Sequence, residues 1–161
     1  MPEIRELALS FQSLHARRQW STYNQASNVL AFVQQCIPYA SDQLTTGHQD
    51  WARYPIETLA DRKGDCEDVA ILCAAVLARL GFQVILLVYE QHVAFAVAGA
   101  EKLKGAYVTN PLTGARCFYG EATAQGWHLG EVPKAYAGID PLEVLPVSIL
   151  IDTEPGEEEE N

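Results

Sequence analysis

One cysteine in this sequence occupies a position where a thiol can act as a nucleophile. Cys66 lies in the stretch 64–68, GDCED, directly ahead of the almost wholly apolar segment 69–80. Asp65 and Asp68 match a capping box, in which the first side chain caps a helix and the second reaches back from its third residue. Cys66 would then begin a buried helix, where free N–H groups and the helix dipole favour a thiolate and can hold an oxyanion.

The acidic neighbours of Cys66 oppose a thiolate. Asp65, Glu67 and Asp68 lie within one turn of it, and like charges disfavour an anionic sulfur. The dipole at an exposed helix end contributes roughly 0.3–1 kcal/mol, which cannot outweigh three carboxylates. A cationic partner is therefore required, and an imidazolium is the most plausible one. We expect no metal at these acids, because three acids within one turn point in different directions.

His92 is the histidine best placed to be that partner. It opens the apolar run 92–99, HVAFAVAG, and strand alternation puts it on one face with a row of alanines. Such a row leaves room for a large neighbour, and we expect the central helix to pack there. His15, in a polar helical stretch, is expected to be solvated, and His48 and His128 lie in irregular loops. A lone strand histidine is usually a core residue, but with Cys66 ahead of it we favour a catalytic role.

The elements that would position these residues follow an α+β order, with helices first and an antiparallel sheet after them. Helical periodicity predicts helices over 3–15 and 24–36, the second ended by Pro38, before an irregular connection over 41–61. Gly81 is the expected cap of the central helix.

The remainder of the chain is rich in strand-forming residues. Two β-rich runs cover 82–90 and 92–99, and Glu90 with Gln91 is expected to form a tight turn or a bulge between them. A further hairpin is expected over 106–109 and 115–123, because the intervening NPLTG is typical of a turn.

Composition narrows the classes of function. The 161 residues suit one domain, and the net charge of −10 argues against nucleic-acid partners and anionic membranes, which both need basic patches. We expect a domain over 1–153 and a disordered acidic tail over 154–161. No stretch looks like a secretory signal or a membrane span, and the four cysteines form no CxxC pair. A cytoplasmic protein with reduced thiols is the expectation.

The segment 54–99, YPIETLADRKGDCEDVAILCAAVLARLGFQVILLVYEQHVAFAVAG, resembles the core of the transglutaminase-like superfamily of papain-fold cysteine enzymes. The specific part is the order of GDCED, an apolar helix ending in LG, two strands and a histidine. The likeness extends over about 32–133. It implies a nucleophilic cysteine at the start of a buried helix packed on an antiparallel sheet, with a histidine and an acid from adjacent strands. Cys66 and His92 match the first two positions.

The remaining site residues are suggested by the same resemblance. Glu121, in CFYGEAT, stands where relatives carry the acid that orients the histidine, and Asn110 is the alternative, since an amide can also orient an imidazole. The Cys66 N–H would hold the oxyanion together with a donor from Gln35, with Gln34 and Trp51 as alternatives.

The activity that this resemblance implies is attack of Cys66 on an amide bond of a peptide or protein substrate, through a thioester acyl-enzyme and without a cofactor. Hydrolysis, as in a peptidase or amidase, is the preferred outcome. Two alternatives are transfer to an amine, as in a protein-glutamine transglutaminase, and a catalytically idle domain that keeps the fold and binds peptides.

Overall fold

The computed structural model describes residues 1–41 and 52–148, and every structural statement below concerns those residues. Trp51, His48 and the expected boundary between 153 and 154 lie outside them. Four helices are described: α1 Pro2–Arg18, α2 Thr22–Cys36, α3 Pro55–Asp61 and α4 Cys66–Arg79. The predicted positions of α1, α2 and α4 are confirmed. Within these ranges, no helix combines the length and apolar character needed to cross a membrane.

Helix α3 falls in the stretch 41–61, for which an irregular connection was expected, so that expectation is wrong for its last third. The helix begins at Pro55, whose missing N–H costs nothing at a first helical position. Glu57 supports this start by accepting a hydrogen bond from the N–H of Tyr54 at 2.8 Å. The signal was present in the sequence, because proline followed by an acid in the first turn is a helix-start pattern.

The start of α4 is the predicted capping box. The Asp65 carboxylate accepts from the N–H groups of Glu67 and Asp68, at 3.1 and 3.3 Å. Asp68 reciprocates by accepting from the N–H of Asp65 at 3.1 Å. At the other end Leu80 is the cap, and Gly81 follows it with a φ of 91°, a left-handed conformation that favours glycine. The cap therefore fixes Cys66 as the first helical residue.

The sheet is antiparallel and its strand order is β3-β4-β2-β1-β5. The strands are β1 Gln83–Tyr89, β2 His92–Ala98, β3 Tyr107–Thr109, β4 Arg116–Gly120 and β5 Glu143–Pro146. Glu90 and Gln91 form a two-residue turn that leaves Tyr89 opposite His92. The turn and the second hairpin are confirmed. Strand β5 was not anticipated, since a four-residue edge strand carries too few positions to show alternation.

The two faces of the sheet bury different cores. Helix α4 packs on the face that carries Val84, Phe95 and Val97. The alanines of β2 lie on the opposite face, in a cluster with Tyr119 and Tyr136. The expectation that the central helix packs on the alanine row is therefore wrong, because aromatic rings from β4 and from the chain after residue 132 fill that space.

His15 is buried rather than solvated, contrary to expectation, with 4% of its surface exposed. Its ring lies 5.7 Å from both the Phe11 and the Trp20 rings, and Nε2 faces the Asn28 side-chain oxygen at 3.4 Å. Burial lowers the pKa of His15, and the bond to Asn28 offsets only part of that effect. His15 is a core residue at the packing of α1 against α2.

Candidate active site

Three side chains from three different elements meet at one cleft. Cys66 begins α4, His92 begins β2, and Glu121 directly follows β4. His92 Nε2 lies 3.0 Å from Glu121 Oε2, and the Cys66 side chain lines the same cleft as the imidazole. Since Nε2 is engaged by Glu121, the other ring nitrogen, Nδ1, is the one available to the thiol. The structure thus brings together all three residues of the predicted triad.

Glu121 is held as a buried carboxylate, with 2% of its surface exposed. Besides His92, Oε2 accepts from the Tyr119 hydroxyl at 3.0 Å, and Oε1 accepts from the Thr123 hydroxyl at 2.8 Å and its N–H at 3.3 Å. Burial alone would raise the pKa of Glu121. The bonds from His92, Thr123 and Tyr119 outweigh burial and hold that pKa below its ordinary value. Glu121 is therefore an anion at neutral pH.

His92 is the cationic group that the argument from charge requires. Burial by itself would lower its pKa, but the hydrogen bonds to Cys66 and Glu121 and their charges raise it from 6.5 to about 9. The ring also stacks on Tyr136, with centroids 4.5 Å apart and planes within 13°. An imidazolium near neutral pH is held between an acid, a thiol and an aromatic face.

The carboxylate of Asp68 does not act on Cys66 as an uncompensated charge. Asp68 is fully buried and pairs with Arg53, whose Nη1 lies 2.6 Å from Oδ2 and whose N–H donates to Oδ1 at 2.9 Å. Gly64 permits this arrangement, because a Cβ there would lie 2.6 Å from the Asp68 Cβ. The expectation of three repulsive carboxylates around Cys66 is therefore wrong for Asp68.

The acidic group at the start of α4 was expected to diverge, and it does not. Ligand atoms of Asp65, Glu67 and Asp68 all lie within 4.8 Å of one another. Carboxylate oxygens are ligands that suit hard cations such as Ca²⁺. Asp65 and Asp68 nevertheless have protein partners, in the helix cap and in Arg53. The cap and the buried ion pair account for the cluster, and we assign no cation to it.

The predicted oxyanion donors differ in their position and in whether they are free to donate. The Cys66 N–H is not among the groups that Asp65 caps, which leaves it available at the helix start. Gln35 is exposed at the end of α2 and does not line the described cleft. Gln34 is closer, but its amide donates to two carbonyls, those of Glu121 at 2.8 Å and Trp127 at 3.0 Å. Gln34 therefore ties the segment that carries Glu121 to α2 and does not offer a free donor.

Asn110, the alternative orienting residue, lies elsewhere. Its side-chain oxygen accepts from the N–H of Leu112 at 2.9 Å, and its carbonyl accepts from the N–H of Gly114. It lines a separate hollow with Gly81 and Leu112. Its role is to shape the β3–β4 turn, which is the ordinary use of asparagine before proline.

The cleft has a volume of about 530 Å³ and aromatic walls. Besides the triad it is lined by Tyr39 on one side and by Trp127 and Tyr136, among others. A parallel bridge joins Tyr39 to Gly64, so the wall is tied to the chain immediately before Cys66. An open, aromatic-lined cleft of this size can accept a stretch of polypeptide around a reactive carbonyl.

The other cysteines differ sharply from Cys66. All four are free thiols. Cys36 is exposed, whereas Cys73 and Cys117 are fully buried. Burial raises the pKa of both buried thiols, and the charge of Glu121 raises that of Cys73 further. Half-buried Cys66 is the one that lines the cleft with His92.

Contributors to the site that were missed from sequence include Arg53, Tyr119 and Tyr136. Arg53 is recognisable only through Asp68, its partner further along the chain. By contrast, strand alternation could have placed Tyr119 on the same side as Glu121, two residues later. Tyr136 lies in a stretch without periodicity, and nothing local indicates that it stacks on His92. Gly64, directly before the acid that caps α4, is the one sequence feature that could have suggested a buried partner for Asp68.

The model of the transglutaminase-like domain family matches residues 4–108, which is more than half of the chain. Among curated proteins, none matches this sequence. Solved structures of LapG from Legionella pneumophila are similar in fold. The EGTA-treated form is 20% identical, covers 91% of this chain and 78% of its own, and has a TM-score of 0.53. The calcium-bound form is also 20% identical, with coverages of 91% and 81% and a TM-score of 0.51.

A protein from Cytophaga hutchinsonii, named as a candidate cysteine protease, is 16% identical over 63% of this chain, with a TM-score of 0.44. This chain spans 31% of that protein's length. The match over 4–108 covers Cys66 with its cap, His92 and the elements that carry them, and the mixed helix and antiparallel-sheet fold agrees with it. The chain belongs to the transglutaminase-like domain family.

Proposed function

We propose that this protein is a cysteine hydrolase, a peptidase or amidase, that cleaves an amide bond in a peptide or protein through Cys66, His92 and Glu121. The observation that carries the proposal is the 3.0 Å bond between His92 and a buried, anionic Glu121, with Cys66 lining the same cleft as the imidazole. A nucleophile, a base and an orienting acid in this relation are the working parts of acyl transfer.

The reaction starts from the thiolate and imidazolium pair. Cys66 Sγ attacks the amide carbonyl carbon, and the oxyanion of the tetrahedral intermediate accepts from the Cys66 N–H. His92 then gives its proton to the leaving nitrogen, the C–N bond breaks, and an amine departs from a thioester. His92 next takes a proton from water, the resulting hydroxide attacks the thioester, and the C–S bond breaks to release a carboxylic acid and restore the thiolate and imidazolium pair.

Glu121 acts on the imidazole and not on the substrate. Four donors hold its carboxylate, so the ring receives a fixed orientation and a fixed negative partner. No step requires a cofactor. We place the reaction in a reducing compartment such as the cytoplasm, because all four cysteines are free thiols.

The first experiment is peptide-level alkylation by iodoacetamide near neutral pH. Cys66 should react much faster than Cys36, which is the informative reference because it is exposed, unlike Cys73 and Cys117, which burial protects. Equal rates for Cys66 and Cys36 would favour the idle binding domain. Running the series in EGTA and in calcium measures any contribution from a cation at the acidic cluster, since one LapG structure is calcium-bound.

The second experiment separates hydrolysis from transfer to an amine. A mixed peptide library is incubated in ¹⁸O-labelled water with a primary amine such as dansylcadaverine. Hydrolysis puts ¹⁸O into new carboxyl termini, whereas a transglutaminase attaches the amine to glutamine side chains. Cys66→Ala should abolish either product, and persistence of product in that variant would contradict the assignment of the nucleophile.

A further inference from the structure

A second hollow adjoins the active cleft on the far side of Tyr136. It has a volume of about 370 Å³, and its walls include Tyr89, Ile139 and Leu142. Gln91 and Tyr136 line both this hollow and the active cleft. The two spaces are therefore neighbours that share a wall, with the Tyr136 ring between the imidazole of His92 and the second hollow.

The walls of this hollow, which we call the Tyr136 subsite, present apolar side chains to solvent. Ile139 is 56% exposed and Leu142 is 71% exposed. The backbone of Leu142 is nevertheless fixed, because its N–H donates to the Val88 carbonyl at 2.7 Å. Large apolar side chains that a fixed backbone holds at the rim of a concave surface are typical of a place that a partner covers.

The charged residues that line the subsite are all acidic. Glu90 and Asp140 line it, and neither has a cationic partner within the described ranges. Among the described residues that line the two hollows, none is lysine or arginine. Two unpaired carboxylates beside apolar walls are complementary to an apolar side chain next to a positive charge.

We propose that the Tyr136 subsite binds a side-chain pair of the polypeptide substrate, a large apolar residue followed or preceded by lysine or arginine. This inference rests on the proposed function in one respect, that the peptide continues through the cleft at Cys66. The Tyr136 and His92 rings are 4.5 Å apart, and an extended peptide advances about 3.3 Å per residue. Passing the Tyr136 ring alone takes between one and two residues, so the recognised pair lies at least about two residues from the carbonyl that Cys66 attacks.

The test is a binding measurement that does not depend on turnover. Fluorescein-labelled dodecapeptides of alanine, glycine and serine carry one central pair: Leu-Lys, Leu-Glu, Ser-Lys or Ser-Glu. Fluorescence polarisation with the full chain, carrying Cys66→Ala, gives a dissociation constant for each. Leu-Lys should bind tightest, with a loss of about tenfold when leucine becomes serine and about threefold when lysine becomes glutamate.

Two variants substitute residues of the Tyr136 subsite, and two control variants make the same kinds of substitution elsewhere. Leu142→Ser should erase the preference for leucine, and Asp140→Lys should erase or reverse the preference for lysine. Leu112→Ser and Glu143→Lys are the controls, because Leu112 is 75% exposed at another hollow and Glu143 is an exposed residue of β5 that does not line the subsite. Both controls should leave the two preferences unchanged.

The outcomes separate this inference from the proposed function. Equal binding of the four peptides, no binding up to about 1 mM, or preferences that survive both subsite variants would overturn the subsite. Unselective alkylation of Cys66 in the wild-type chain would overturn the hydrolase while leaving a measured peptide preference intact. Ordered binding together with selective alkylation supports both.

Discussion

Glu121→Gln removes one negative charge from the site and keeps the shape of the side chain. Cys66 and Glu121 together raise the pKa of His92 from 6.5 to about 9, against the effect of burial. Neutralising Glu121 removes one of the two partners that oppose burial and so lowers the pKa of His92, and each pKa unit lost is about a tenfold change in an equilibrium constant. We therefore expect alkylation of Cys66 at pH 7 to slow by up to about tenfold.

The amide also disturbs the hydrogen bonds around position 121. Oε2 receives His92 and Tyr119, and Oε1 receives the hydroxyl and N–H of Thr123. In either orientation of the glutamine amide, its NH₂ group faces hydrogen-bond donors. The backbone N–H of Thr123 cannot rotate to avoid it. If the amide oxygen faces Thr123, the NH₂ group faces the imidazole and the alkylation defect becomes larger.

The assay is the rate of Cys66 alkylation from pH 5 to 10, followed by peptide mass spectrometry with Cys36 as the internal reference. Glu131→Gln is the matched control, since Glu131 also contacts a histidine, His128, but at the exposed surface. That control should follow the wild-type profile. A Glu121→Gln profile that coincides with the wild type would refute the orienting role, and an equal shift in both variants would refute a local cause.

Three further outcomes are expected. Asp68→Asn should lower the free energy of unfolding by about 3–5 kcal/mol in a denaturant titration, because it leaves the Arg53 charge buried without its partner; a variant as stable as the wild type would contradict a structural ion pair. Tyr119→Phe should keep His92 protonated to higher pH in an NMR titration, because Glu121 Oε2 loses a competing donor; an unchanged midpoint would show that the hydroxyl does not act on the pair. The raised pKa of His92 should stabilise the fold by up to about 3 kcal/mol below pH 6.5, an effect lost as pH rises through about 9; a pH-independent difference from His92→Gln would contradict it.

The placement of Cys66, the proposed nucleophile, and of its helix could be predicted because their determinants are local. The capping box around Cys66 and the apolar run after it specify where α4 begins, whatever the rest of the chain does. The position of His92 followed from a two-residue turn between strongly β-forming runs. The third member, Glu121, was placed by family resemblance, and the geometry now supplies the reason, a 3.0 Å contact between residues 29 apart.

What could not be predicted depends on contacts across the chain. Helix α4 packs on the face of β2 that carries the bulky side chains of Phe95 and Val97. The row of alanines, on which we expected it to pack, lies on the other face. The neutralisation of Asp68 by Arg53 involves an arginine in a loop without periodicity. The side-chain oxyanion donor stays a prediction, because Gln34 is occupied, Gln35 is exposed and Trp51 is not described.

The two-residue turn at Glu90 and Gln91 makes the site sensitive to chain length. Because successive strand residues alternate between faces, one residue inserted between Tyr89 and His92 would shift the register and aim the imidazole at the opposite side of the sheet from Glu121. The residues of the β3–β4 turn do not line the cleft, and 111–114 are exposed. A loop graft or an affinity tag should therefore be tolerated after Leu112, whereas the connection at residue 90 has a fixed length.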